Sequence, residues 1–148
     1  MRSGFIAAFL TLVSIQSAMA KDLALIIGID EYENLPSLNK AVEDANGYRD
    51  LFSTQGFDVH YLENPDGSTL RVELAQFYNL IEPDDTVVFV YSGHGWSDGV
   101  LNYLVPADTP DIASTMVAAE LSIPLKNGVN GVLDRITGQG AKLTVAVV

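Results

Sequence analysis

The 148-residue sequence contains no cysteine. A chain without cysteine forms no disulfide framework, which is the usual stabiliser of small exported domains, and it carries no thiol nucleophile of its own. Its stability must come from an apolar core. Hydrophobic residues make up 48% of the sequence, which excludes a mostly disordered chain, and the length suits one domain with a real core.

Positive charge and histidine are also scarce. Eight Lys and Arg residues oppose 19 Asp and Glu residues, for a formal net charge of −11. An acidic surface repels phosphate groups, which argues against nucleic acid or anionic membrane as a partner and favours cationic peptides. The two histidines, His60 and His94, form no H-E-x-x-H pattern, so no metal site is expected from them.

The first twenty residues have the three parts of an export signal. A short positive start at Arg2 precedes an uncharged apolar run over 4–15, and Ala18 and Ala20 place small residues where signal peptidase reads the chain. The run is too short to span a bilayer well. We expect cleavage after Ala20 and a periplasmic or secreted protein without stable membrane insertion. A buried N-terminal helix or an uncleaved anchor is the alternative.

After this segment, apolar runs alternate with amphipathic ones. Strands are predicted over 23–29, 57–62, 86–91 and 142–148, and the first of these is a continuous apolar run, typical of a strand buried on both faces. Helices are predicted over 40–55, 69–81 and 124–137, with a short extended piece over 101–105. This alternation predicts an α/β fold with a mostly parallel sheet and helices on both faces. The last apolar run ends without a turn or polar tail, which suggests truncation at the C-terminus.

Three helix starts are predicted from local residue types. Asn39 or Ser37 is expected to cap the first helix, and Ser68 the second. Pro124 suits the first turn of the third helix. His60 falls on the second strand and is expected to be structural.

Candidate chemistry lies at the carboxyl end of the third strand, because open parallel sheets bind ligands at that edge. There His94 stands between two glycines, which let the backbone bend sharply and a substrate approach closely. An exposed imidazole suits general-base work near neutral pH, and the Gly95 N–H can help to hold an oxyanion. On these residues alone, a surface or structural histidine remains the alternative.

The sequence lacks the motifs of several other catalytic and nucleotide-binding sites. A serine hydrolase elbow needs glycine two residues before Ser92, but that residue is Val90. No G-x-G-x-x-G or G-x-x-x-x-G-K-[ST] loop is present, which counts against a nucleotide- or phosphate-binding domain. No cofactor is expected. Asp98, Asp108 and Asp111 offer oxygens for Ca²⁺, but their spacing is not diagnostic.

Four segments in order resemble the large-subunit part of caspases, and more closely the metacaspase-like and bacterial members. They are residues 23–32 (LALIIGIDEY), 38–45 (LNKAVEDA), 87–95 (VVFVYSGHG) and 103–108 (YLVPAD). The resemblance covers about residues 22–148. It implies a caspase-like fold, with residues 1–20 as signal peptide and 21–148 as the N-terminal portion of a catalytic domain.

The resemblance also implies a cysteine endopeptidase with a Cys–His dyad. His94 matches the family's catalytic histidine, and Gly95 matches the residue whose N–H helps to form the oxyanion hole. The family's cysteine follows the next sheet strand, so it is expected just past Val148, and this fragment alone is expected to be inactive. A catalytically inactive binding or adaptor domain is the alternative, since the chain as given has no thiol.

The same resemblance implies a substrate preference. Asp44 matches an acidic position that lines the pocket for a basic side chain, and Ser92 matches a position near that pocket, so cleavage after Arg or Lys is expected. Two departures weigh against this preference: Glu43 stands where many members have asparagine, and Lys40 adds a positive charge. A solvated residue in the first helical turn is the alternative interpretation of Asp44, and a residue that only satisfies a turn is the alternative interpretation of Ser92.

Overall fold

A computed structural model describes residues 19–111 and 114–148 of the chain. The apolar run of the expected export signal lies outside these residues. The strands are β1 (Asp22–Gly28), β2 (Asp58–Glu63), β3 (Thr86–Ser92), β4 (Gly95–Ser97), β5 (Asn102–Leu104), β6 (Ile123–Pro124) and β7 (Leu143–Val147). The helices are α1 (Ala41–Thr54), α2 (Gly67–Tyr78), α3 (Thr115–Leu121) and α4 (Val132–Gly138).

The main sheet has four parallel strands in the order β2-β1-β3-β7. Alternate residues of β1 point to opposite faces, as the two-residue period of a strand requires. On one face, Leu25 belongs to a core that includes side chains of α2 and α4; on the other, Ile26 packs with Ala45 of α1. The predicted α/β fold, with a parallel sheet between helices, is therefore confirmed.

The predicted caps of the first two helices are wrong. The carboxylate of Asp30, in the loop after β1, accepts the backbone N–H groups of Ala41 and Val42 at 2.8 and 3.2 Å, so a distant residue caps α1. Asp66, not Ser68, caps α2 through a 2.6 Å bond from the Thr69 N–H. That helix therefore begins at Gly67, earlier than predicted.

The helix predicted over 124–137 is also wrong at its start. Pro124 lies in β6, which pairs with β5 in a small antiparallel sheet of order β4-β5-β6. The helix α4 begins only at Val132. Asn127 Oδ1 accepts three backbone N–H groups over 129–131, and Asp134 Oδ2 accepts two over 127–128. These side-chain bonds hold a polar loop in place of the first helical turns.

The strand predicted over 142–148 is confirmed as β7, but it lies at the edge of the main sheet among the described residues. Leu143 and Val145 are accordingly 53% and 42% exposed. No helix among the described residues has both the length and the apolar character needed to cross a membrane.

Candidate active site

The loop that follows β3 is held by buried tyrosine hydroxyls. The hydroxyl of Tyr91 lies 2.7 Å from the carbonyl oxygen of His94 and accepts the Val105 N–H at 3.1 Å. Burial raises the pKa of the Tyr91 hydroxyl, so it stays protonated and remains a donor. Val105 N–H also bonds to His94 O at 3.1 Å, which ties the loop to the residue that follows β5.

Tyr32, from the loop after β1, holds the other side of the turn. Its hydroxyl accepts the backbone N–H of His94 at 2.7 Å, and its ring centroid lies 4.6 Å from that of the imidazole. Burial raises the pKa of this hydroxyl as well. A Cβ on Gly93 would lie 2.7 Å from the Tyr91 hydroxyl and 2.8 Å from that of Tyr32, so both tyrosines require glycine there.

The imidazole of His94 is half-buried and fixed in direction, whereas the sequence predicted an exposed side chain. Its Nε2 lies 2.8 Å from the carbonyl oxygen of Pro36. A carbonyl can only accept, so Nε2 carries the proton of the neutral ring and Nδ1 keeps a lone pair. The tyrosine contacts and this bond present Nδ1 as the basic atom of the site.

His94 and Gly95 share a cavity of about 310 Å³ with apolar walls that include Leu35, Trp96 and Pro110. Gly95 of β4 lies opposite Leu104 of β5, so His94 lies opposite Val105, whose N–H donates to His94 O. In an antiparallel ladder, hydrogen-bonded pairs alternate with non-hydrogen-bonded pairs, so Gly95 and Leu104 form a non-hydrogen-bonded pair. The N–H of Gly95 is therefore turned away from β5.

Asp44 and Ser92 line a different cavity, of about 590 Å³, which Val148 also borders. Ser92 and Val148 border a third cavity, of about 540 Å³, together with Gly95. The structure therefore pairs the four predicted site residues as His94 with Gly95 and Asp44 with Ser92. Gly95 and Ser92 connect the two pairs through the third cavity, at the carboxyl end of β7.

Negative charge in the cavity of Asp44 is only partly neutralised. The Lys40 ammonium bonds to the carboxylate of Glu43, and this hydrogen bond raises the pKa of Lys40. The ion pairs among the described residues do not include Asp44, which is exposed in the first turn of α1. Its carboxylate is therefore available to a cationic group that enters the cavity.

Two of the three acidic residues considered for Ca²⁺, Asp98 and Asp108, make structural bonds. Asp98 accepts the backbone N–H groups of Leu101 and Val100, which lower the pKa of its carboxyl. Asp108 accepts the Gly67 N–H at 2.7 Å. Within residues 19–111 and 114–148, no three acidic or histidine side chains form a group suited to a metal ion.

Comparison with known proteins places these residues in a family. A family model described as the caspase domain matches residues 21–132, which is most of the chain and includes all four predicted site residues. The chain belongs to the caspase family. The resemblance inferred from the sequence is thereby confirmed, and it makes the chain part of a cysteine peptidase family.

Two relatives illustrate how much of such a protein the chain represents. The caspase domain is 32% identical over 92 residues to Caspase-1 of Sus scrofa, across 61% of this chain and 23% of that protein. A crystal structure of the protein GSU0716 from Geobacter sulfurreducens superposes with a TM-score of 0.59 at 17% identity, covering 85% of this chain and 48% of that one. The chain thus spans about a quarter of the curated relative's length.

The supporting residues of the caspase domain were not found from the sequence. Tyr91 ends the apolar run over 86–91, and Tyr32 follows two acidic residues in the loop after β1. Neither position indicates that the tyrosine hydroxyl holds the His94 loop. Pro36 acts through its backbone carbonyl, which gives no sequence signal. Only the position of Tyr32 in the loop after β1, at the edge where ligands bind, pointed towards the site.

Proposed function

We propose that this caspase domain provides the general base and one oxyanion donor of a cysteine endopeptidase, whose thiol comes from a residue that follows Val148. The main support is the fixed imidazole: Pro36 O binds the protonated Nε2 of His94 at 2.8 Å and leaves Nδ1 as the acceptor. The thiol lies outside these 148 residues, because they contain no cysteine.

The reaction proposed for this site is acyl transfer through a thioester. Nδ1 of His94 takes the thiol proton, and the thiolate attacks the peptide carbonyl carbon. The carbonyl oxygen gains the negative charge, which the Gly95 N–H helps to stabilise. When the C–N bond breaks, the imidazolium returns its proton to the leaving amine. Water then hydrolyses the thioester, with His94 again as the base.

The Pro36 carbonyl has a specific role in these steps. It accepts from Nε2 in the neutral ring and in the imidazolium alike, so the ring keeps one orientation through both proton transfers. The bond strengthens when the ring becomes charged, because charge-assisted hydrogen bonds are stronger than neutral ones. The site therefore stabilises the ion pair formed by the thiolate and the imidazolium.

The substrate proposed is a peptide or protein with Arg or Lys before the scissile bond. Asp44 offers a carboxylate that has no ion pair among the described residues, in a cavity that Ser92 shares. The net charge of −11 favours approach of cationic chains. The export signal further suggests a periplasmic or secreted site of action.

The test uses the complete protein, including the residues encoded after Val148. Wild type, His94→Asn and the control His60→Asn are assayed on fluorogenic peptides ending in Arg, Lys or Asp. We expect cleavage after Arg and Lys, a loss of about 10³-fold or more in kcat/KM for His94→Asn, and near wild-type rates for the control.

His60 is a suitable control because it lies on β2, where its ring packs edge-on against Phe77. Full activity of His94→Asn would contradict the proposed base. A complete reading frame without a cysteine after β7 would contradict the proposed thiol and leave a binding role instead.

A further inference from the structure

Asp85 is a fully buried carboxylate at the amino end of the sheet, opposite the edge that carries His94. Its residue exposure is 0%. Oδ2 accepts the Glu82 N–H at 2.8 Å, and Oδ1 accepts the backbone N–H of Lys21 at 2.7 Å. Its own carbonyl accepts the Lys142 N–H at 2.9 Å, which joins the start of β3 to the start of β7.

This carboxylate lacks a cation among the described residues. The ion pairs there involve Lys21, Lys40, Arg49 and His60, none of them with Asp85. Burial of an ionised carboxylate is costly unless a positive charge compensates it. Backbone N–H groups supply only partial positive charges, whereas a free amino group at the Lys21 nitrogen would supply a full positive charge next to the carboxylate.

Lys21 is the first residue after the expected export signal. Its backbone nitrogen is the one that lies 2.7 Å from Asp85 Oδ1, and its Nζ lies 3.2 Å from Glu82 Oε2 and 3.3 Å from Leu80 O. Both nitrogens of Lys21 therefore contact the turn over 80–85. Met19, just before it, is 85% exposed, and the match to the caspase domain begins at residue 21.

We propose that removal of residues 1–20 converts the Lys21 amide into an α-ammonium that forms an ion pair with the buried carboxylate of Asp85. Hydrolysis of the Ala20–Lys21 bond places hydroxyl on the Ala20 carbonyl and hydrogen on the Lys21 nitrogen. That nitrogen then binds another proton, since an α-amino group has an ordinary pKa of about 7.7–8.0. Processing thus completes a charge pair that the precursor lacks.

The consequence is a domain that becomes more stable on export. The pair fixes the first residue of the mature chain against the turn before β3, beside the Thr86 N–H bond to Lys21 O. This inference depends on the export signal and not on the peptidase chemistry, because Asp85 and His94 lie at opposite ends of β3. Failure of either proposal leaves the other unaffected.

The test measures thermal unfolding of processed and unprocessed chains in the same detergent. The processed chain is purified after export of the full-length gene product, and mass spectrometry identifies its first residue. The unprocessed chain carries Ala18→Leu and Ala20→Leu, which replace the small residues that signal peptidase requires at its cleavage site. Asp85→Asn is introduced into both, with Asp84→Asn as the control, since Asp84 is exposed and adjacent.

We expect Lys21 at the N-terminus of the processed chain. Asp85→Asn should lower the Tm of that chain by about 6–10 °C and that of the unprocessed chain by less than half as much. The control should change neither by more than about 1 °C. Equal losses in both chains would overturn the proposal, because they would make Asp85 only an acceptor of backbone N–H groups. A different first residue would also overturn it.

A second measurement needs no variant, so it tests the proposal even if Asp85→Asn fails to fold. Acylation of the Lys21 α-amine by an N-hydroxysuccinimide ester is followed at pH 7 in the native processed chain and in urea. An ion-paired ammonium should react at least about tenfold more slowly in the native chain. Equal rates would overturn the proposal.

Discussion

The Nε2 atom of His94 lies 2.8 Å from the carbonyl oxygen of Pro36, a residue 58 positions earlier in the chain. The two residues meet because β1 and β3 are neighbouring parallel strands, so the loops after them lie at the same edge of the sheet. This contact decides which ring nitrogen is basic. It therefore links the topology of the sheet to the chemistry of the site.

The first prediction concerns the tautomer of His94. In ¹⁵N-labelled protein under alkaline conditions, where the ring is neutral, we expect Nε2 to carry hydrogen and Nδ1 to show the shift of a bare nitrogen. The reason is that a carbonyl accepts and cannot donate. Hydrogen on Nδ1 in the folded chain would contradict the proposed role of Pro36.

The second prediction concerns Gly93. A methyl group there meets the hydroxyls of Tyr91 and Tyr32, so Gly93→Ala should cost about 1–3 kcal/mol in the free energy of unfolding. Denaturant titration measures this loss. Gly47→Ala is the matched control: nothing lies within 4 Å of the added Cβ in α1, and the change should stabilise by about 0.5–1 kcal/mol. Similar effects at both positions would argue against a tightly held loop.

The fold could be predicted from the sequence because its strongest signals are local. The run over 23–29 is apolar throughout, and β1 is buried on both faces as that pattern indicates. The helix predicted over 40–55 matches α1, whose buried positions Ala41 and Ala45 recur at the helical period. Neither inference needed a contact with a distant segment.

The errors arose where distant or polar contacts decide the structure. Asp30 caps α1 from 11 residues away, which no search beside the helix could find. Pro124 suited the first turn of a helix, but Asn127 and Asp134 bind the backbone N–H groups that such a helix would need. In the site, His94 could be identified from the sequence, but the direction of its ring could not, because the backbone carbonyl of Pro36 determines it.

The third prediction concerns substrate preference in the complete protein. Asp44→Asn should lower kcat/KM for Arg and Lys peptides by about tenfold or more, because it removes the unpaired carboxylate of the cavity. Glu43→Gln removes a neighbouring charge that Lys40 already pairs, and it should change kcat/KM by less than about threefold. If the control produces the larger loss, the basic side chain is bound by Glu43 and the assignment of Asp44 is wrong.

The fourth prediction concerns acid stability. The hydrogen bond from the Thr69 N–H lowers the pKa of Asp66 in the folded protein. The ionised cap therefore stabilises the protein fully above the ordinary carboxyl pKa of about 3.9. This stabilisation is lost as the pH falls through the lower pKa of the folded state. The Tm difference between wild type and Asp66→Asn should be constant from pH 7 to about pH 5 and shrink below about pH 4. Ser68→Ala should show no such change, since Ser68 is not the cap.

The fifth prediction tests the proposed base directly, in the complete protein with its thiol. The rate of thiol alkylation by iodoacetamide is measured at pH 6 for wild type, His94→Asn and His60→Asn. A thiol paired with the His94 imidazole exists largely as thiolate at this pH, so His94→Asn should slow alkylation at least about tenfold while His60→Asn leaves it unchanged. Equal alkylation rates in wild type and His94→Asn would contradict the account.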